Sequence, residues 1–256
     1  MATHDRPIRL AAISDLHYGK GSQGTLQPLF AEISNSADIL VICGDLTDYG
    51  LPEEAQILAK DLSSAVKVPI VAVLGNHDYE SGRHLEVCDV LTSAGMTILD
   101  GDSVEIRGIG FAGVKGFAGG FGRGALGFWG EPAIKAFVQE ALDEALKLES
   151  ALARLRTEQR IAVLHYAPIR GTVEGEPPAI YPFLGCSRLE DPINRYPVNA
   201  VFHGHAHNGS YEGRTTSGIP VYNVSHGLIK KTHPDGPGFH LMELAVTPAA
   251  DAVPII

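Results

Sequence analysis

Three cysteines in 256 residues, Cys43, Cys88 and Cys186, are too few and too scattered for a disulfide framework or a CxxC zinc site. They read as reduced, partly buried thiols. Positive charge is also scarce. Twenty Lys and Arg stand against thirty Asp and Glu, a net charge of −10, and these basic residues are adjacent only at Lys230-Lys231. That excludes a non-specific grip on a nucleic-acid duplex, which needs a basic footprint. No apolar run approaches the ~20 residues of a membrane span. The start, MATHDRPIRLAAISD, has no secretory core, because Arg9 breaks its apolar run and Asp15 follows it. There is no internal repeat and no P-loop pattern. These absences predict a soluble, cytoplasmic protein without a membrane partner. They leave the oligomeric state open.

What is present is a set of strand-length apolar runs, each stopped by a polar cluster. IRLAAI (8–13) ends in SDLH, ADILVIC (37–43) in GDLTD, and VPIVAVL (68–74) in GNHD. IAVL (161–164) ends in HYAP, VNAVF (198–202) in HGHAH, and IPVYNV (219–224) in SHG. Runs apolar on both faces suit strands of a sheet covered on both sides. Helical patterns lie between: 52–66, with Pro52 at the first position and acids in the first turn, then 83–95, closed by Gly95. The longest, 132–156, carries one apolar stripe from Ile134 to Leu155. Strand–helix–strand alternation predicts an α/β fold with parallel pairing in the first half. The intervals agree: Asp15 to Asp45 is 30 positions and Asp45 to Asn76 is 31, one βαβ repeat each. Strand-like stretches at 104–114 and 239–246 predict further antiparallel or edge strands. The glycine-rich stretch 116–132 reads as a connector or as a wall beside a site. Residues 174–186 read as a proline-bearing loop. The length suits one domain over 1–256.

Ligands of open α/β sheets bind beyond the carboxyl ends of the strands. Those ends carry Asp15, His17, Asp45, Asn76, His77, Asp78, His165, His203, His205 and His207. Carboxylate, imidazole and one amide oxygen without thiolate suit borderline or harder divalent ions such as Mn, Fe or Zn. There are enough donors for two ions sharing a carboxylate.

The order DxH, GD, GNHD, H, GHxH resembles the calcineurin-like metallophosphoesterase superfamily. Here it reads Asp15-Leu16-His17, Gly44-Asp45, Gly75-Asn76-His77-Asp78, His165 and Gly204-His205-Ala206-His207, covering residues 15 to 207. The resemblance implies a four-layer α/β/β/α sandwich of two mixed sheets flanked by helices. It implies two divalent metal ions, the first held by Asp15, His17 and His207 and the second by Asn76, His165 and His205, with Asp45 bridging. It implies in-line attack on a small phosphate ester by a hydroxide bridging the metals, with His77 stabilising the phosphoryl oxygens or protonating the leaving group. In the protein-phosphatase branch an acid pairs with the histidine of GNH, which makes Asp48 the candidate partner of His77; an Asx-type turn residue is the alternative. Asp78 is read as an orienting acid or a helix cap, and His203 as a residue supporting the ligands. His226 is a candidate for binding substrate, with a locally satisfied loop histidine as the alternative. His4, His84, His233 and His240 carry no motif.

One departure matters. Where the protein-phosphatase branch reads GDxxDRG, this chain has Tyr49 in GDLTDYG. Losing a bidentate guanidinium disfavours dianionic monoesters. The expectation is therefore a phosphodiesterase on a small substrate such as a cyclic nucleotide or glycerophosphodiester. The alternatives are a phosphomonoesterase, a nucleotide pyrophosphohydrolase, or an interaction module that has lost the chemistry.

Overall fold

The computed structural model describes residues 6–245. His4 and the end of the stretch 239–246 lie outside the described residues. Strands β1 (Ile8–Ile13), β2 (Ile39–Cys43), β3 (Ile70–Val73) and β4 (Met96–Ile98) pair in parallel, and β11 (His240–Leu244) adds antiparallel to β1. A second sheet holds β5 (Asp102–Ile106), β6 (Ile109–Gly113), β7 (Gln159–Val163), β8 (Ala200–His203), β9 (Glu212–Arg214) and β10 (Pro220–Asn223). Its order is β5-β6-β7-β8-β10-β9, with parallel pairing from β6 to β10 and antiparallel edges. Helices α1 (Gln27–Ser36), α2 (Pro52–Ala65) and α3 (His84–Ser93) serve the first sheet. The second sheet is covered by α4 (Pro132–Arg154) and α6 (Glu190–Arg195). Helices α5 (Tyr181–Leu184) and α7 (His226–Thr232) are short.

The two-residue period of a strand sorts the apolar runs into layers. Ala11, Ile13, Leu40 and Ile42 pack outward on Phe30, Ile33, Leu58 and Leu91 of α1 to α3. Their neighbours Leu10, Ala12, Val41 and Cys43 pack inward on Phe111, Ile161, Val163 and Phe202 of the second sheet. Beyond it, Ala112, Ala162 and Val201 meet Leu148, Leu152 and Ile193 of α4 and α6. Three core layers separate four structural layers, the expected α/β/β/α sandwich.

Two local features add detail that the sequence reading did not give. The stretch 104–114 is two antiparallel strands, because Arg107 (φ 52°) and Gly108 (φ 80°) form a tight reversal between Ile106 and Ile109. Two positive φ values in a two-residue loop match the twist of a hairpin. Helix α1 lies in a stretch whose Ser and Asn residues mask its period; Phe30 and Ile33 are its buried anchors. Cys43 and Cys186 are buried free thiols and Cys88 is half-buried. Among the described residues no helix is long and apolar enough to cross a membrane.

Candidate metal centre

The ends of β1, β2, β3, β7 and β8 bring the predicted donors together where the two sheets meet. Asp15, His17, Asp45 and His207 form one group, and Asp45, His165 and His205 a second. In each, one ligand atom per residue lies within 4.8 Å of all the others. Asp45 belongs to both. Its Oδ1 is 3.3 Å from His165 Nε2 and its Oδ2 is 3.8 Å from His17 Nε2, so the two oxygens face different groups. Asn76 Oδ1, 2.9 Å from His165 Nε2, adds the amide oxygen to the second group. Asp15 Oδ1 is 3.1 Å from His207 Nε2.

The backbone is bent to make this possible. Five non-glycine residues have positive φ among the described residues: Asp15 (59°), His17 (44°), Asp45 (47°), His205 (70°) and Arg107 of the hairpin. Four of the five are predicted ligands. Left-handed backbone is costly for a residue with a Cβ and concentrates at functional sites. The glycines of the motifs serve a different need. A Cβ on Gly44 would lie 2.5 Å from His165 Nδ1, on Gly75 2.1 Å from Asp45 Oδ1, and on Gly204 2.5 Å from Asp15 Oδ2. Each glycine therefore leaves room for a ligand supplied by another motif.

The donors fit divalent cations. Asp15 and Asp45 are nearly inaccessible to solvent. Burial raises both carboxyls, but the surrounding imidazoles outweigh it and hold them low. Burial lowers His165, yet the charge of Asp45 wins and raises it. Two buried carboxylates thus demand positive charge at this spot. His17 Nε2, facing Asp45, is buried and has no hydrogen-bond partner among the described residues. That nitrogen is left unsatisfied by the protein, and a cation held between it and Asp45 would engage its lone pair.

The supporting residues Asp48 and Asp78 sit differently from expectation. The Asp48 group that meets His77 is its main-chain carbonyl, which accepts Nδ1–H at 2.7 Å. The Asp48 carboxylate instead faces His17, Oδ1 lying 3.6 Å from Nδ1. The cause is local. Asp48 N–H donates to the Tyr18 carbonyl, which ties the residue alongside the DLH segment. His77, His17 and Asp48 form a third close group, and the rings of His17 and His77 meet edge-on at 4.5 Å. Asp78 clamps two loops. Its carboxylate accepts from Thr47 N–H (2.8 Å), Thr47 Oγ1 (2.6 Å), Gly75 N–H (2.8 Å) and Leu46 N–H (3.2 Å). Burial, then the charge of Asp45, pushes its carboxyl up to about 6.

His203 is fully buried, bridging the Gly204 carbonyl and Thr172 Oγ1, and burial lowers it to about 4. It is a neutral strut behind the ligands. His226 stands apart from the three groups. Its Nδ1 donates to the Gly238 carbonyl, and its ring borders a surface groove with Thr25, Leu29 and Lys230. Two supports were not anticipated. Asn223 Nδ2 donates to the Ala206 carbonyl inside GHAH (2.7 Å), and the Phe183 carbonyl accepts from His205 Nε2 (3.2 Å). A buried asparagine ending an apolar run could have signalled the first; the second is main chain and leaves no trace in sequence.

The family model for calcineurin-like phosphoesterases matches residues 8–209, and the chain belongs to that family. A curated relative, an uncharacterized protein of Methanocaldococcus jannaschii, is 34% identical over 109 residues, 43% of this chain; the chain spans 44% of that relative's length. Phosphopantetheinyl hydrolase from Mycobacterium tuberculosis shares the fold with a TM-score of 0.66 and 16% identity, over 97% of this chain and 99% of that one. GAP50, the anchor in the inner membrane complex of Plasmodium, aligns with a TM-score of 0.55 and 13% identity, over 87% and 73% of the two chains.

Proposed function

We propose that this chain is a dinuclear metal-dependent phosphoesterase that acts on small phosphodiesters, such as a cyclic nucleotide or a glycerophosphodiester. The observation that carries the reading is the position of Asp45, with one oxygen toward each of two donor groups. Asp15, His17 and His207 would hold one ion and Asn76, His165 and His205 the other, Mn, Fe or Zn by the donor set. When bound, the pair supplies Lewis-acid charge to a phosphoryl group and acidifies a water nucleophile.

The chain's own residues do the rest. His77 commits Nδ1–H to the Asp48 carbonyl, which leaves Nε2 to carry the working proton. With Nε2 protonated, His77 donates to the oxygen of the departing alkoxide. Asp48 sets the orientation of that ring through its carbonyl, and its carboxylate faces Nδ1 of His17. The diester preference rests on charge. Among the described residues the ion-pair partners of Asp15, Asp45 and Asp48 are histidines, and Tyr49 stands where a phosphate-gripping arginine would be. A monoanionic diester asks for less positive charge than a dianionic monoester.

The test is hydrolysis of bis-p-nitrophenyl phosphate and of p-nitrophenyl phosphate by metal-stripped protein reconstituted with Mn. Turnover that depends on metal and favours the diester supports the reading. Faster turnover of the monoester reassigns the chain as a phosphomonoesterase. Silence on both, with two ions bound, overturns the diesterase reading and leaves a phosphatase of narrow specificity or a non-catalytic member of the family.

A further inference from the structure

Phe183 is the residue whose environment the proposed chemistry leaves unexplained. It lies on α5, and its main-chain carbonyl meets His205 Nε2 at 3.2 Å, so its backbone abuts the second donor group. The segment is pinned on both sides. Gly119 N–H donates to the Pro182 carbonyl (2.7 Å), Ala167 N–H to the Leu184 carbonyl (3.0 Å), and Cys186 N–H to the Ala167 carbonyl (3.1 Å). Leu184 is buried, yet the Phe183 side chain is 60% exposed and Ile180, three residues before it, 38% exposed. A phenyl ring carried on a pinned backbone but left in water forgoes the burial that normally justifies an aromatic side chain. Scattered exposed apolar residues need no explanation; one on a rigid backbone against a metal-ligand candidate does.

The charge around it narrows the partner. The nearby Arg170 guanidinium lies over the Tyr181 ring at 5.7 Å and pairs with Glu174 at 3.5 Å, so it is already engaged. Tyr49, next to Asp48, is also exposed, its N–H fixed by Glu54 Oε2 at 2.9 Å. Each exposed ring is one contact or one residue from a ligand-bearing motif. An uncharged, flat face rewards a flat partner by offset stacking.

We infer that Phe183 is a specificity-determining residue: its ring stacks on a planar aromatic ester group of the phosphodiester substrate. The inference rests on the phosphoesterase reading above and adds the class of the group that flanks the phosphate. It assigns Phe183 to substrate choice and not to the bond-breaking step.

The experiment compares two diesters with the same leaving group, methyl p-nitrophenyl phosphate and phenyl p-nitrophenyl phosphate, on the Mn-loaded full chain. kcat/KM is measured for wild type, F183A and F183Y, with metal content recorded for each. The wild type should prefer the phenyl ester, F183A should lose that preference about tenfold, and F183Y should keep it. Because the carbonyl that meets His205 is main chain, F183A should retain its metals. An unchanged phenyl-over-methyl ratio in F183A overturns the inference, and so does an equal loss on both esters with metal released, which marks Phe183 as structural. If the metal-loaded wild type hydrolyses neither ester, the phosphoesterase reading fails first and this inference falls with it.

Discussion

Replacing Gly75 with alanine tests whether the shared position of Asp45 matters. The added Cβ would lie 2.1 Å from Asp45 Oδ1, 2.3 Å from its backbone nitrogen and 2.8 Å from its Cγ. An ordinary carbon–oxygen contact is about 3.5 Å, so the overlap exceeds ~1 Å. Two of the three opposing atoms are carboxylate and one is backbone, leaving little freedom to step aside. Asp45 Oδ1 also accepts His77 N–H at 2.9 Å, so moving it disturbs both donor groups and the proposed proton donor together. A misplacement of about 1 Å in a reacting constellation costs roughly a hundredfold in rate. Overpacking typically costs about 1–3 kcal/mol, which in a chain of this size lowers Tm by roughly 2–12 °C. The expected result for G75A is therefore turnover of bis-p-nitrophenyl phosphate reduced at least about a hundredfold, fewer than two Mn retained after desalting, and a lowered Tm. Wild-type rate and metal content in a folded G75A protein would refute the argument that this glycine exists to admit Asp45.

Three further outcomes follow from the geometry. H77A should lose about 10²–10⁴ in kcat while keeping both metals, as read by elemental analysis, because His77 is assigned to proton transfer and not to ligation. D48A should lower metal affinity about tenfold or more, measured by competition with a chelator, because it removes the carboxylate facing His17 and leaves the carbonyl that holds His77. D38N should destabilise the fold in a pH-dependent way. Burial raises the Asp38 carboxyl, but the bonds from Arg6 (2.6 and 2.9 Å) and Arg9 N–H (3.0 Å) outweigh it and hold it at about 2. Since its folded pKa lies below the ordinary value of 3.8, the ionised group contributes above that pH and the contribution fades as pH falls through about 2. The gap between wild type and D38N in urea unfolding should be about 2 kcal/mol at pH 7 and close near pH 2; a gap constant across that range would contradict the pairing.

The site was largely legible because its donors follow a rule of topology. Asp15, Asp45 and Asn76 recur once per βαβ unit, so their spacing alone places them at neighbouring strand ends. The long amphipathic helix at 132–154 and the buried strands were legible for the same reason, a clear period. What escaped depended on main-chain atoms or on weak local signals. The His77–Asp48 contact runs through a carbonyl that every residue possesses, so no side-chain pattern could separate it from a carboxylate pairing. Phe183 looks in sequence like any aromatic of a proline-bearing loop. The Arg107-Gly108 reversal lacks the Asn or Asp that usually announces such a turn. The role of Asp78 as a clamp needed the four donors to be seen converging on one carboxylate.

The four donors held in left-handed backbone set stability and function against one another. Each such residue carries roughly 1–3 kcal/mol of unfavourable conformation, which the rest of the sandwich must offset before any ion arrives. Substituting glycine at Asp15 or Asp45 would relieve that tension and remove a donor in the same stroke. A screen for thermostability alone would therefore drift toward glycine at these positions, yielding a sturdier protein with a site that no longer works. Ions that bind only the folded chain would stabilise it by mass action, so metal should raise Tm in the native sequence and lose that effect once a donor is exchanged for glycine.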